Sequence, residues 1–347
     1  MYRRKLLILL SLLGAGVGLF FVFKFYQLFF WSNTQFENDS SIVFIDRDDT
    51  IDSLAFQLTP LLKSTERFLT AAEKKGYAQR VRSGKYSIRK GMGNNDIINS
   101  LRSERLTSKV VFNNQERLED LAGRVAQQIE ADSLELLAAF LDPVFLSEEG
   151  FTKENALTLF LPNTYDMFWD VSPKEFRKRM LDYYTRFWNE TRRAKAEALK
   201  LTPIEVSVLA SIVQKEANQK EEQNRIAGVY LNRLGMGMKL QADPTVIFGL
   251  KNASGNFDQV IKRVLYKDLQ LNSPYNTYRY RGLPPGPIVM PDLSTIDAVL
   301  NAEQHAYLYF VASPGKPGYH LFAKDLAAHN RNKKVYTNWL NKQKIYR

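Results

Sequence analysis

Cysteine is absent from the 347 residues of this sequence, and histidine occurs only three times. Without cysteine the chain can form no disulfide, no thiolate metal site and no lipid-modified cysteine anchor. His305, His320 and His329 do not form an HExxH pattern, and no GxSxG or Walker motif occurs. The sequence therefore favours neither a metalloprotease nor a serine hydrolase nor a P-loop enzyme. We predict no metal and no cofactor. We expect the three histidines to be structural rather than metal ligands, with His320 as the best candidate for a substrate contact.

Acidic residues are missing from both ends of the chain. Residues 1–31 carry four basic residues and residues 331–347 carry six, with no acid in either segment. The net charge of +11 therefore leaves only about +1 for the part between these ends. A nearly neutral body does not indicate a nucleic-acid groove, so we predict no nucleic-acid partner.

Charge is also absent from the 18 residues Leu6–Phe23. As a helix this run would be about 27 Å long, which is enough to cross a bilayer at ~1.5 Å per residue. The basic residues before it predict a cytoplasmic tip and membrane anchor in residues 1–32, with the body on the far side of the membrane. A cleaved signal peptide is the alternative, but no small-x-small cleavage site follows the apolar run.

The next segment, residues 38–106, predicts a small α+β module. Ile42–Ile45 and Gly84–Ile88 are typical of strands, and the spacing of apolar residues predicts helices from Asp49 and over Ser64–Lys75 between them. This is a βααβ order. A short helix over Asn94–Ser103 and a strand over Lys109–Asn113 follow.

Residues 109–345 are predicted to form a larger α+β domain. Residues 115–150 have a helical apolar stripe that includes Leu134 and Leu137, and residues 173–199 predict one basic helix. The fold class expected for the whole chain is therefore α+β, with an N-terminal transmembrane helix.

The segment LASIVQKEAN places one carboxyl group, that of Glu216, on the apolar face of a helix. Thr202, Pro203 and Glu205 supply an N-cap, a first-turn proline and a capping-box partner, so the helix should begin near Thr202. Burial would raise the pKa of Glu216 and suit it to act as a general acid. A structural ion pair with Arg225 or Arg233 is an equally open alternative.

Three later blocks are rich in glycine, proline, asparagine and tyrosine, and they predict loops that wall a groove. Aromatic rings next to amides and hydroxyls suit a carbohydrate, because sugars have apolar faces and hydroxyl rims. Tyr275, Asn276, Thr277 and Tyr278 supply both kinds of group. The alternative is that YNTY and GLPPGP are structural turns.

Four ordered blocks carry a family resemblance: LASIVQKEA, NRLGMGMKLQADPTVIFG, YNTYRYRGLPPGPI and the closing FVA…H.F……HN. In order and spacing they resemble the catalytic region of YceG-like endolytic murein transglycosylases. The βααβ segment resembles the LysM-like module of that family, which either recognises glycan or acts as a spacer. The family's catalytic glutamate corresponds to Glu216, whereas the first acid of its motif is replaced by Gln214.

The resemblance implies an enzyme that cuts peptidoglycan strands internally, with one acid and without water. Glu216 would protonate the leaving glycosidic oxygen and then activate the C6 hydroxyl of N-acetylmuramic acid, which closes a 1,6-anhydro ring. It further implies a bacterial inner-membrane protein with a periplasmic body, working beside peptidoglycan synthases. The groove residues nominated for substrate binding are Asn232, Gln241, Asp243, Tyr275, Asn276, Tyr278 and His320.

Two alternatives remain at this point. Asp243 precedes Pro244 and is also typical of a residue that caps a turn or helix. An inactive, membrane-tethered glycan-binding scaffold would tolerate replacement of Glu216, whereas a hydrolase that uses water would leave reducing ends instead of anhydro ends.

Overall fold

The computed structural model describes residues 2–217 and 219–343, so Asn218 and the predicted domain end at residue 345 lie outside the described residues. The chain divides into two compact units. Unit 1 comprises Met1–Val110, Gln128–Ala131 and Tyr165–Ser172, and unit 2 comprises Val111–Gln127, Asp132–Thr164 and Pro173–Arg347. The first change of unit, after Val110, lies close to the predicted boundary between residues 106 and 109. The functions assigned to the two parts stay predictions.

Unit 1 contains the predicted βααβ order. Its elements are α1 (Tyr2–Phe29), β1 (Ser40–Ile45), α2 (Ile51–Leu58), α3 (Thr65–Lys74), β2 (Gly84–Arg89) and α4 (Asn94–Ser103). Strands β1 and β2 are antiparallel, with Ser40 opposite Arg89 and Ile45 opposite Gly84. Their inward side chains pack with α2, α3 and α4 around Leu54, Phe68 and Ile97. The resemblance of this module to LysM stays a prediction.

Helix α1 is longer than the uncharged run from which it was predicted. Its 28 residues begin at Tyr2 and end at Phe29, and of these only Phe29 is buried. Among residues 2–217 and 219–343, it is the one helix long and apolar enough to cross a membrane. The exposed apolar surface is consistent with the predicted anchor.

Two strands, β3 (Thr107–Phe112) and β4 (Asn163–Phe168), pair in a second small sheet. Most residues of both strands belong to unit 1, and unit 2 is mainly helical. Its elements are α5 (Leu118–Ala126), α6 (Ser133–Phe140), α7 (Pro143–Glu148), α8 (Pro173–Phe187), α9 (Glu190–Ala198), α10 (Pro203–Glu216), α11 (Gln223–Gly235), α12 (Asp243–Ser254), α13 (Leu293–Leu300), β5 (Tyr309–Ala312), β6 (His320–Ala323) and α14 (Leu326–Lys342). Strands β5 and β6 are antiparallel, with Tyr309 opposite Ala323. The α+β class is confirmed.

Two predicted helical stretches are divided more finely than expected. Residues 115–150 form three helices. Leu134 was predicted in the interior stripe but is 75% exposed, and the buried residues of α6 are Leu136 and Phe140. The predicted helix over 173–199 is interrupted between α8 and α9. There Asn189 accepts a hydrogen bond from the Arg192 backbone N–H and starts a new helix.

Helix α10 lies in the core of unit 2. Every residue from Val206 to Val213 is buried, so the helix is enclosed on all sides rather than on one face as its pattern predicted. The buried Ser211 hydroxyl donates to the Val208 carbonyl over 2.7 Å and accepts the Ile288 N–H over 3.1 Å. With its hydroxyls satisfied in this way, the helix can be surrounded by α11, α12 and α13 without unpaired polar groups.

Candidate active site

Glu216 is the last residue of α10, at the point where this core helix reaches a cleft. The helix begins as predicted: the Thr202 side chain accepts the Glu205 N–H, and the Glu205 side chain accepts the Thr202 N–H. This capping box fixes the start, and fourteen helical residues later the Glu216 side chain is only partly exposed. Local sequence signals at the start of α10 therefore help to determine where the Glu216 carboxyl group lies.

The cleft around Glu216 has a volume of about 290 Å³ and lies entirely within unit 2. It is lined by residues from α10, α11, the start of α12, strand β5, the start of α14 and the loops between them: Glu216, Tyr230, Arg233, Leu240, Gln241, Asp243, Tyr278, Tyr309, Phe310, Leu326 and His329. Hydroxyl, amide and imidazole groups thus share the surface with apolar side chains. Such a lining can hydrogen-bond the rim of a sugar and contact its apolar face.

The pKa of Glu216 is raised to about 7, from its ordinary value of 4.5. Burial is the main cause, and the negative charge of Asp243 adds to it, whereas the positive charge of Arg233 opposes it. The position of Glu216 at the negative end of α10 also disfavours a carboxylate. A carboxyl group with this pKa can give up and take back a proton near neutral pH.

Neither arginine considered as an ion-pair partner binds Glu216. The Arg233 guanidinium donates to the carbonyl oxygens of Leu308 and Leu240, each over 2.6 Å. Arg225 pairs instead with Glu303 over 2.9 Å. The Glu216 carboxyl group makes no hydrogen bond or salt bridge to any residue in the described parts of the chain, so it is available to a ligand in the cleft.

Gln241 and Asp243 lie beside Glu216 because the chain makes a constrained turn before α12. Gln241 has a φ of 51°, in the left-handed region, and its N–H donates to the Thr277 carbonyl over 3.1 Å. The following Ala242 N–H donates to the Thr277 hydroxyl over 3.0 Å. These bonds join the turn to the YNTY segment. Asp243 is the first residue of α12, but the N-cap is Ala242 and no side chain caps the helix, so the capping alternative for Asp243 is wrong. The Asp243 side chain lines the cleft instead.

Tyr278 is brought to the same place by the YNTY turn. Its hydroxyl donates to an Asp243 carboxylate oxygen over 2.6 Å. The turn itself is held by Asn276, which is fully buried and whose amide donates to the carbonyl oxygens of Leu269 and Leu271. The structural and functional interpretations of YNTY therefore apply to different residues of the same motif.

Four nominated residues do not line this cleft. The Asn232 amide donates to the His305 and Tyr307 carbonyls over 2.8 and 3.0 Å. Tyr275 is buried with its ring centroid 4.6 Å from that of Phe248, and Asn276 braces the turn described above. His320 Nδ1 lies 2.9 Å from a buried Glu222 carboxylate oxygen, and its ring contacts Phe310 from outside the cleft lining. All four side chains contact other protein groups, so in this structure they support the fold around the cleft.

Sequence reasoning missed three lining residues with polar side chains, Tyr230, Tyr309 and His329, and named Arg233 only as a possible ion-pair partner of Glu216. Tyr230 lies three residues before Arg233 on α11 and so shares a helix face with it, which could have indicated Tyr230. His329 could not be found in this way, because it comes from α14 and stacks on Tyr309 of β5, with ring centroids 5.2 Å apart. Only the folded chain brings these two elements to Glu216.

His329 has an unusual environment for an imidazole. Its Nδ1 atom is buried without a hydrogen-bond partner. Burial, together with the positive charges of Lys333 and Arg233, lowers the pKa of His329 below its ordinary value. A neutral imidazole has one donor and one acceptor nitrogen, so His329 can make a hydrogen bond to a ligand at the edge of the cleft.

Gln214, which replaces the first acid of the family motif, is directed away from the cleft. Its side-chain oxygen accepts the Asp292 backbone N–H over 2.6 Å, at the start of α13. The position thus connects α10 to α13. Position 214, two residues before Glu216, therefore does not belong to the cleft lining.

Comparison with known proteins gives a consistent result. The sequence profile of the YceG-like family matches residues 43–335. A Bacillus subtilis protein named endolytic murein transglycosylase is 31% identical over 300 residues, covering 82% of this chain and 80% of the relative. A Streptococcus pneumoniae protein of the same name is 27% identical over 316 residues, which are 80% of this chain and 54% of the longer relative.

A solved structure is also similar. The crystal structure of a yceG-like protein from Listeria monocytogenes matches with a TM-score of 0.56 and 26% identity, covering 85% of this chain and 99% of that chain. The likeness therefore extends over most of both units and is not confined to the motif around Glu216.

Proposed function

The chain belongs to the YceG-like family, and from this premise we propose that it is an endolytic murein transglycosylase in which Glu216 is the catalytic acid and base. It is a peptidoglycan lyase that cuts glycan strands internally. The bond cleaved joins N-acetylmuramic acid to N-acetylglucosamine, and the products end in 1,6-anhydro-N-acetylmuramic acid. Cleavage of this kind ends the elongation of a nascent strand.

One carboxyl group is enough for this reaction because the substrate supplies the nucleophile. Protonated Glu216 gives its proton to the glycosidic oxygen as the bond from that oxygen to the anomeric carbon breaks. The resulting carboxylate takes the proton of the C6 hydroxyl, and the C6 oxygen forms a bond to the anomeric carbon. Glu216 is again protonated at the end, and no water is consumed.

The position of the Glu216 carboxyl group in the cleft, without a hydrogen bond or salt bridge to the described residues, is the single observation that carries this proposal, and the raised pKa agrees with it. With a pKa of about 7, the carboxyl group is about half protonated at neutral pH and can both donate and accept within one cycle. A carboxyl group at its ordinary pKa of 4.5 would be ionised almost completely at that pH. Because Glu216 has no salt bridge to the described residues, its proton is shared with no protein group.

Asp243 and Tyr278 support Glu216 rather than replace it. The Asp243 charge raises the pKa of Glu216, and the Tyr278 hydroxyl holds the Asp243 carboxylate in a fixed orientation. A negative charge there also stabilises the oxocarbenium-like transition state. If Asp243 instead acted as a second catalytic carboxylate, water would be the nucleophile and the products would have reducing ends.

The remaining donors bind the sugar. Gln241 and the imidazole of His329 are available to hydroxyl and acetamido groups, and Phe310 and Leu326 offer apolar contact. This assignment narrows the nominated substrate-binding set to Gln241, Asp243 and Tyr278 and adds His329. Asn232, Tyr275, Asn276 and His320 hold the walls of the cleft in place.

Anchoring completes the proposal. Helix α1 spans the inner membrane with the amino terminus in the cytoplasm, because the basic residues Arg3, Arg4 and Lys5 precede its apolar run. The body is then periplasmic, where it meets strands as synthases make them. Residues 38–106 act as the LysM-like module and residues 109–345 as the catalytic domain.

The test is mass spectrometry of uncross-linked glycan strands incubated with the full-length protein in detergent. The wild type should give internal fragments with 1,6-anhydro ends, and Glu216→Gln should give none while its circular dichroism spectrum is unchanged. Glu221→Gln, at a nearby exposed glutamate, is the matched control and should cleave normally. Products with reducing ends would show that the enzyme hydrolyses the bond with water. Intact strands that bind equally to the wild type and to Glu216→Gln would support the glycan-binding scaffold.

A further inference from the structure

The end of α1 is fixed against the rest of unit 1. Phe29 is buried in the core of this unit, and the Asn94 amide donates to the Leu28 carbonyl over 2.7 Å. At Gly93, a Cβ atom would lie 2.7 Å from the Phe29 carbonyl oxygen, so only glycine permits this close approach. The start of α4 therefore packs against the last turn of α1. This contact fixes the side chains of α3 and α4 that lie beside α1 in position relative to that helix.

A groove of about 840 Å³ lies beside this junction, entirely within unit 1. One wall is the apolar surface of α1, and the other is formed by the end of α3 and the start of α4. The lining residues are Phe21, Val22, Lys24, Phe25, Leu28, Phe29, Phe30, Lys74, Lys75 and Asn95. The groove thus combines an apolar wall with three lysines.

The lysines of this groove are not neutralised by carboxylates. Lys75 donates to the side-chain oxygens of Asn95 and Asn99, each over 2.7 Å, and both partners are uncharged. Across residues 2–217 and 219–343, no carboxylate lies within salt-bridge distance of Lys24, Lys74 or Lys75. Arg102 adds a further positive charge near Lys75. Burial and this charge lower the pKa of Lys75, whereas the negative charge of Asp96 raises it. The neighbouring Glu73 is exposed.

The level of the groove along α1 indicates its ligand. Lys24 is the first charged residue after the uncharged run Leu6–Phe23, so in a bilayer it lies where the hydrocarbon meets the headgroups. Lipid phosphates occupy this level, and lysines held there attract anionic lipids. Phe21 and Val22, which precede Lys24 on the side of the apolar run, face acyl chains.

We propose that this groove binds the phosphate headgroup of an anionic phospholipid, with Lys74 and Lys75 as the headgroup contacts and the acyl chains along α1. The proposal rests on the proposed membrane anchor and is independent of the cleavage reaction. Its consequence is that unit 1 is held down on the bilayer surface by a bound lipid as well as by the span itself.

The test uses the full chain reconstituted in vesicles of equal parts phosphatidylglycerol and phosphatidylcholine. Spin-labelled versions of each lipid report the fraction immobilised by the protein. The wild type should immobilise phosphatidylglycerol severalfold better than phosphatidylcholine. In Lys74→Gln/Lys75→Gln this preference should fall to near equality, whereas Lys109→Gln/Lys324→Gln, which removes the same charge elsewhere, should retain it.

The outcomes separate the groove from the anchor. Lys74→Gln alone changes an exposed residue and should lose part of the preference for phosphatidylglycerol. This single variant replaces the double variant if loss of the Lys75 hydrogen bonds impairs folding. A wild type that stays in vesicles at alkaline pH without any lipid preference, or a preference unchanged in the groove variants, would overturn the groove proposal alone. A chain that alkaline washing removes from vesicles would overturn the anchor and the groove together.

Discussion

The Tyr278 hydroxyl donates a hydrogen bond of 2.6 Å to the Asp243 carboxylate in the cleft that contains Glu216. The two residues come from segments 35 positions apart, which are joined by hydrogen bonds from the Gln241 and Ala242 N–H groups to Thr277. Their pairing keeps a negative charge near Glu216, and that charge contributes to the raised pKa of Glu216. A group that carries out no chemistry thereby influences the pH at which the reaction runs.

Replacing Asp243 should shift the pH dependence of the reaction. The wild-type kcat/KM should fall as pH rises through about 7, because Glu216 must begin protonated. In Asp243→Asn the removed charge no longer opposes ionisation of Glu216, so the fall should begin at a lower pH. A shift of less than about 1 unit is expected for a partly screened charge. A pH–rate profile from 5 to 9 measures it.

Tyr278→Phe is the matched control for that shift, because it removes the hydrogen bond but keeps the Asp243 charge. Its descending limb should stay close to that of the wild type. A profile of Asp243→Asn that coincides with the wild type, or moves to higher pH, would contradict the electrostatic role of Asp243.

The sequence predicted the acid and part of its surroundings. The N-cap, the first-turn proline and the helical period are local signals, and they predicted the start of α10 and a buried carboxyl group at Glu216. They did not predict that Glu216 is the last residue of the helix, where it is partly exposed. The family resemblance supplied Asp243, Gln241 and Tyr278 as groove residues, and these do lie with Glu216. Their roles in substrate binding stay predictions.

Non-local packing explains what the sequence did not indicate. The sequence does not indicate whether the amide of an asparagine donates to a ligand or to a backbone carbonyl. In the fold, the amides of Asn232 and Asn276 both donate to backbone carbonyls. His329 reaches the cleft because α14 packs on β5 and β6, an arrangement with no local signature. The burial of α10 on all sides was hidden because Ser207 and Ser211 are polar by type but bond to carbonyls of their own helix.

Glu216 should make the folded protein less stable at alkaline pH. The folded chain keeps the proton up to a pH of about 7, whereas the unfolded chain releases it near 4.5, so the folded state binds more protons between these values. The free energy of unfolding therefore falls as pH rises through this window. Glu216→Gln cannot ionise and should be more stable than the wild type above about pH 8, by at most about 3 kcal/mol.

Thermal unfolding of both proteins at several pH values checks this expectation. The advantage of Glu216→Gln should shrink steadily as the pH is lowered toward 4.5, the ordinary pKa of the group. Glu221→Gln, at an exposed side chain, should show no such trend. A constant difference across the range would mean that Glu216 ionises in the folded protein as it does in the unfolded chain.

His329 should contribute to substrate binding through its imidazole. His329→Ala removes one hydrogen-bonding group, and the loss of a hydrogen bond of about 1.4 kcal/mol corresponds to a roughly tenfold lower kcat/KM. His329→Gln keeps both a donor and an acceptor on a side chain of similar reach and should recover most of this loss. Steady-state kinetics with defined glycan strands measure the effect, which should appear mainly in KM.

The outcome for His329 distinguishes binding from structure. A purely structural role would lower the melting temperature in both variants without rescue by glutamine. Because His329 makes no proton transfer in the proposed reaction, the pH at which activity falls should be the same in His329→Gln and in the wild type.

Gln214 should tolerate glutamate but not an apolar residue. Its side-chain oxygen accepts the Asp292 N–H at the start of α13, and a glutamate oxygen can accept the same bond. Gln214→Glu should therefore cleave strands at a rate within about threefold of the wild type, whereas Gln214→Leu leaves that N–H unpaired and should lose about 1–3 kcal/mol of stability. A Gln214→Glu variant with a changed product, reducing ends in place of anhydro ends, would show instead that a carboxyl group at this position reaches the reaction centre.

Asn232→Ala should lower stability before it lowers the intrinsic activity of the folded enzyme. The Asn232 amide satisfies the carbonyls of His305 and Tyr307 and so joins α11 to the segment that leads into β5, which carries the cleft residues Tyr309 and Phe310. Loss of a bonded, partly buried amide costs about 1–3 kcal/mol, which should appear as a lower melting temperature. At temperatures well below that midpoint, cleavage by Asn232→Ala should stay within a fewfold of the wild type, in contrast to the complete loss in Glu216→Gln. An Asn232→Ala protein with an unchanged melting temperature and a KM raised tenfold would mean that this amide binds the glycan directly.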